Sequence, residues 1–223
     1  MPRLKSPSPI ASYHPSETWP EGNEQSASHA LRAFVGGVFI VVWIVALGLI
    51  IAGLMTGHWV VLPHPEVGES LTPTEPEFSG SADAELTALH FLYADCPCSR
   101  RVLNHVLDRQ TIAGVCEKIV LIGDDHTIRG LALSSGYQFE AVAADELKAQ
   151  YGVEAAPLLV VTDPKANIVY SGGYTTRKQG PAILDVATIT ALTKGKSPAC
   201  LPVYGCAVSQ ELQALVDPFG LKY

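Results

Sequence analysis

The sequence predicts an α/β fold, a mixed central sheet with helices on both faces, behind an N-terminal transmembrane helix. Three observations predict it. An uncharged apolar run fills residues 34–55. Short apolar runs of strand length then alternate with helical patterns in the order β-α-β-α-(β)-α-β-β-α. The first of those strands runs straight into Cys96-Pro97-Cys98 and a helix. The totals agree: 223 residues hold one ordinary domain plus accessories, and the 48% apolar content is unevenly spread. The net charge of −7, with no basic tract, argues against a nucleic-acid partner.

Residues 1–33 are rich in Pro and Ser and poor in large aliphatics. Such a segment buries too little to offset its ordering entropy and reads as a disordered cytoplasmic tail. Residues 34–55 rise roughly 33 Å as a helix, enough to cross a hydrocarbon core of about 30 Å. Arg3, Lys5 and Arg32 precede this run, and the next basic residue is Arg100. That asymmetry places the N-terminus in the cytoplasm and the remainder outside, in a periplasm-like compartment across a cell (inner) membrane, with Trp59 at the far interface. Residues 56–83 read as an extracytoplasmic linker, since 62–83 alone holds four prolines and four glutamates.

The folded domain is expected over residues 84–195. Residues 86–94 are apolar on both faces, as in the centre of a covered sheet. Residues 99–113 have helical spacing, and 118–122 form a second buried strand. A short helix over 127–135 closes at Gly136, and 137–142 form a further strand. Asp145 caps a helix running to Tyr151. A strand over 158–162, a turn at 163–167 and a partner at 168–170 make a hairpin. Pro181 starts a closing helix that ends at 194. Residues 196–223 are a C-terminal extension holding Cys200, Cys206 and a short helix over 209–216.

The chemistry is read from the cysteines. A thiol at the mouth of a helix meets unpaired backbone N–H groups and the positive end of the helix dipole. That field favours thiolate, the nucleophilic form. Five cysteines leave at least one unpaired within a monomer. Two bridges among five leave about fifteen connectivities. Pro202 and Gly205 allow a tight loop, which makes Cys200–Cys206 a candidate structural disulfide. Cys116 opens a buried strand and reads as a structural thiol.

Two separated segments resemble the thioredoxin superfamily. Phe91-Leu92-Tyr93-Ala94-Asp95-Cys96-Pro97-Cys98 is similar to the family's strand and Trp-Cys-Gly-Pro-Cys turn, with one residue fewer between the cysteines. Residues 151–161, Tyr-Gly-Val-Glu-Ala-Ala-Pro-Leu-Leu-Val-Val, resemble the segment carrying the family's cis-proline, and Gly172-Gly173-Tyr174 fits the stretch after its hairpin. With an anchor and an acidic linker, the chain looks most like membrane-tethered TlpA/ResA-type thioredoxins. The resemblance implies a thioredoxin-like fold and a thiol–disulfide oxidoreductase exchanging through a mixed disulfide. It implies Cys96 as attacking thiol, Cys98 as resolving thiol, and a cis Pro157 that presents residue 156 to an extended chain. It places His90 where the family holds a buried proton-transfer carboxylate, with His105 a weaker candidate. The implied partners are protein thiols or disulfides or a membrane redox partner, with no cofactor.

A Cys96–Cys98 bridge would close a very short ring, and the strain makes such a disulfide oxidising. The alternative is that one of these cysteines is resolved by Cys200 or Cys206. Arg100 and Arg101 lie one turn into the helix, where they would favour thiolate. Rival readings remain. Cys96, Cys98 and His90 or His105 offer soft ligands for a copper-binding or delivery module of thioredoxin fold. A peroxiredoxin-like thiol peroxidase lacks its expected Ser or Thr, since Tyr93 stands three residues before Cys96. A redox-inert scaffold is the remaining possibility.

Overall fold

A computed structural model describes residues 24–71, 84–217 and 220. The residues up to 23, where Arg3 and Lys5 lie, and the 72–83 part of the expected linker fall outside the described residues. The chain divides into two units, Met1–Met55 and Thr56–Tyr223. In the first, helix α1 spans Glu24–Trp59, so residues 24–33, expected as part of a disordered tail, are helical. A long apolar helix propagates readily into a flanking Ala- and Leu-containing stretch once nucleated. Its Arg32–Gly53 segment has a mean hydropathy of 2.9 and is long and apolar enough to cross a membrane. Large apolar side chains such as Phe39, Trp43 and Leu49 are exposed around it. A helix apolar all round needs an apolar surrounding. The side chain of Trp59 is not among those described.

The second unit is built on a five-stranded mixed sheet. Strands numbered along the chain are β1 (Leu86–Tyr93), β2 (Val115–Ile122), β3 (Gln138–Val142), β4 (Ala155–Ala156), β5 (Leu158–Thr162), β6 (Ile168–Gly172) and β7 (Cys206–Ala207). The main sheet has the order β3-β2-β1-β5-β6, and β4 and β7 form a separate two-stranded sheet. β1, β2 and β3 are mutually parallel, while β5 is antiparallel to β1 and β6 to β5. His90 lies opposite Ile119 on one side and Leu159 on the other.

The period of two sorts each central strand between two cores. Leu89, Phe91, Val120, Ile122, Leu158 and Val160 face one. Ala88, Leu92, Ile119, Leu121, Leu159 and Val161 face the other. The first is covered by helices α4 (Leu147–Tyr151) and α6 (Gln210–Val216), through Leu147, Tyr151 and Leu212. The second is covered by α2 (Pro97–Asp108), α3 (His126–Ser134) and α5 (Asp185–Thr193), through Val102, Val106, Ala132 and Ile189. Helices on both faces of a mixed sheet, with a thiol-bearing turn after the central strand, make the fold thioredoxin-like.

Four expectations change. The structure packs residues 60–71, read as linker, against the folded domain. Leu62 and Leu71 are buried in the core. Leu62 N donates to Val203 O at 3.0 Å, and Ile168 N donates to Glu69 O at 2.8 Å. The residues read as an extension beyond the domain also belong to its core through Val203, Ala207, Val208 and Leu212. Asp145 does not cap α4. Glu146 holds the cap position without a side-chain bond, and the Glu146 and Leu147 amides are both taken by Ala143 O. α5 starts at Asp185 rather than Pro181, because Leu184 N bonds Tyr174 O at 2.9 Å and ties the preceding loop to the sheet.

Candidate active site

β1 ends at Tyr93, and the chain turns once before α2. Cys96 is the N-cap of α2 and Pro97 its first residue, which costs no hydrogen bond because that amide is an orphan in any helix. Cys96 is 1% exposed. Its sulfur is hydrogen-bonded first by the Cys206 thiol and then by the Cys98 thiol. Burial opposes ionisation, but the backbone N–H groups of Ser99 and Cys98 add to the two thiols, and the Cys96 pKa falls well below the ordinary thiol value of 9.0. The site therefore holds a thiolate, fixed by two thiols and the opening of a helix. Arg100 and Arg101 are engaged elsewhere: Arg100 Nε donates to Ala94 O at 2.7 Å, and Arg101 Nη2 donates to Gly180 O and to Pro181 O at 2.9 Å.

The Ala156–Pro157 peptide bond is cis. Pro157, Pro97, Cys98, Arg101, Tyr174 and Tyr204 line a cleft of about 330 Å³. Cys98 is half-exposed there, whereas Cys96 lies beneath. Residues 201–207 seal one side of this arrangement. A Cβ on Gly205 would lie 2.0 Å from Ala156 O, and one on Gly173 would lie 2.2 Å from Pro202 O, so glycine is what lets these backbones approach. None of the five cysteines is in a disulfide in the structure. Cys200 is exposed, while Cys206, its expected disulfide partner, is turned to Cys96. Cys116 is buried in β2.

His90 is fully buried on the α2 side of β1. Its Nδ1 is 2.9 Å from Tyr174 Oη and its Nε2 is 3.1 Å from Glu117 Oε2. Glu117 also takes Arg109 in a two-pronged pair and the Ile112 amide. Arg109 Nε continues to Asp185 Oδ2 at 2.9 Å, and His105 Nε2 closes the chain on Asp185 Oδ1 at 3.0 Å. A polar line thus runs from Tyr174, on the cleft wall, through the core to His105. Burial drives the Tyr174 hydroxyl well above its usual pKa, so it stays protonated. Tyr174 Oη and Glu117 Oε2 thus engage the two ring nitrogens of His90, one each. His90 reaches the cleft only through Tyr174. Among the described residues no group of three or more His, Cys, Asp or Glu side chains is arranged to hold a metal ion, so Cys96, Cys98 and His90 are not brought together as ligands.

Sequence reasoning did not single out Tyr174, Glu117, Arg109 or Asp185 for the site. Glu117 carried a signal, a lone acid within the apolar run of β2, since a charge in such a run needs a partner.

No family model matches this chain, and no curated protein does. Among solved structures, a hypothetical protein from Sinorhizobium meliloti 1021 is 18% identical over 66% of this chain and 95% of its own, with a TM-score of 0.49. An uncharacterized conserved protein from Geobacillus kaustophilus is 18% identical over 66% and 97%, with a TM-score of 0.47. StoA from Bacillus subtilis is 13% identical over 50% and 89%, with a TM-score of 0.33.

Proposed function

We propose that this chain is a membrane-anchored thiol–disulfide oxidoreductase whose domain works outside the cytoplasm. The observation that carries the reading is the Cys96 sulfur, held at the opening of α2 by two thiols and two backbone amides and shifted well below the ordinary thiol range. Such a thiolate attacks a disulfide sulfur and forms a mixed disulfide. Cys98, on the wall of the cleft, is the first thiol an incoming group meets. Pro157 lines the same cleft. The Tyr174–His90–Glu117 line offers a protonated hydroxyl at the cleft for proton exchange during thiol release. The partners are protein thiols or disulfides, or a redox protein of the same membrane, and an extracytoplasmic compartment is where disulfides persist.

The test uses the full-length chain in detergent, equilibrated with oxidised glutathione, with every cysteine trapped and mapped by mass spectrometry. Cys96 is expected to react at pH 5 within about threefold of its rate at pH 8, whereas an ordinary thiol would slow by about 10³-fold. Cys96→Ser is expected to abolish exchange. Five cysteines inert to glutathione at both pH values would overturn the reading.

A further inference from the structure

Three thiols, not two, meet at this site, and the third comes from the far end of the chain. β4 and β7 pair antiparallel, with Ala155 opposite Ala207 and Ala156 opposite Cys206. Val208 N donates to Glu154 O at 2.7 Å, which makes 154 and 208 a hydrogen-bonded pair. Hydrogen-bonded and non-bonded pairs alternate along an antiparallel ladder, so Ala156 and Cys206 are again a bonded pair. The backbone of Cys206 is thereby fixed against the residue preceding Pro157. The neighbouring residues leave little play. Gly205 admits no side chain against Ala156 O, and Val203, Ala207 and Val208 are buried in the core. The Cys206 thiol meets the Cys96 sulfur directly. Cys98 is separated from Cys96 by one helix-opening proline, and a bridge between them must close a very short ring. Cys206 arrives from a separate element and meets no such restriction.

We propose that Cys206 is the resolving thiol of this site and that the oxidised chain carries a Cys96–Cys206 disulfide, the role the resemblance assigned to Cys98. The inference rests on the reading of the chain as a thiol–disulfide oxidoreductase. The Cys96 thiolate attacks one sulfur of a substrate disulfide, forms a mixed disulfide and expels the first substrate thiolate. The Cys206 thiol, losing its proton to that leaving thiolate, attacks Cys96 Sγ. The Cys96–substrate bond breaks, the second substrate thiolate leaves, and the Cys96–Cys206 bond forms. One thiolate and one thiol of the protein are oxidised to a disulfide, and one substrate disulfide is reduced to a thiol and a thiolate. With a dithiol substrate the same steps run in reverse. Cys98 stays at the cleft wall as a thiol through the cycle.

The test is disulfide mapping of the full-length wild-type chain in detergent after oxidation with glutathione disulfide, followed by single-turnover trapping of two variants. The expected product is a peptide pair linking Cys96 to Cys206. Cys206→Ser is expected to hold glutathione on Cys96, with its release slowed at least tenfold, and Cys98→Ser is expected to keep the 96–206 bridge. A Cys96–Cys98 bridge with Cys206 recovered as a thiol would overturn this assignment and leave the oxidoreductase reading intact. Failure of every cysteine to react would overturn both. The wild-type map decides the matter even where a variant folds poorly.

Discussion

Glu117 sets the charge of the layer beneath the cleft. Burial would raise its carboxyl, but the hydrogen bonds from His90 and Arg109, with their charges, outweigh that and bring it to about 2 from 4.5. A carboxyl depressed on folding contributes stability that is complete above its unfolded value and is lost as pH falls through its folded value. Glu117→Gln removes this contribution and leaves Asp185 as the carboxylate paired with Arg109. The expected cost is about 3 kcal/mol in urea unfolding at pH 7, in the range for breaking a buried pair. The gap between wild type and variant is expected to narrow below pH 4.5 and to shrink further toward pH 2. A gap constant with pH would mean that Glu117 acts by packing rather than by charge. The acid is visible in the sequence as an anomaly within Val-Cys-Glu-Lys-Ile-Val-Leu-Ile. Its partners are not, because His90 lies on another strand and Arg109 at the end of a helix, and neither carries a local signature.

At the scale of elements, the long strands were legible and the short ones were not. β1 and β5 are predominantly apolar runs of strand length, buried on both sides, and suit the centre of a covered sheet. β4 and β7 have two residues each, too few for any period to register. Residues 60–71 have the composition of a spacer, yet Leu62 and Leu71 anchor them into the core. Aliphatic residues scattered among prolines and glutamates are a weak pattern until the surface that receives them is known. The β4–β7 pair is also where the candidate site is most open to perturbation. Gly205→Ala would drive a methyl group into Ala156 O, so β7 must lift. Lifting withdraws the Cys206 thiol, the largest single influence holding Cys96 as thiolate. The Cys96 pKa is then expected to rise, seen as a steeper dependence of its glutathione reaction rate on pH between 5 and 8. A pH profile unchanged from wild type would separate β7 from the ionisation of Cys96.

At the scale of the whole molecule, an apolar helix and a folded thiol domain share one chain, and the side of the membrane the domain occupies decides its redox surroundings. Cys200 is exposed and reports that side. In sealed, right-side-out membrane vesicles a membrane-impermeant maleimide is expected to label Cys200 without lysis, and labelling only after lysis would place the domain in the cytoplasm. The β4–β7 pair has a further consequence for what the domain can recognise. Backbone hydrogen bonding is the sequence-blind way to hold an extended polypeptide, and it needs an open strand edge. At Ala156 that edge is already taken by β7 of the same chain, which is packed into the core through Ala207. A visiting polypeptide cannot be gripped there by its main chain, so selectivity passes to side chains and to the shape of the cleft between Pro157 and Tyr174.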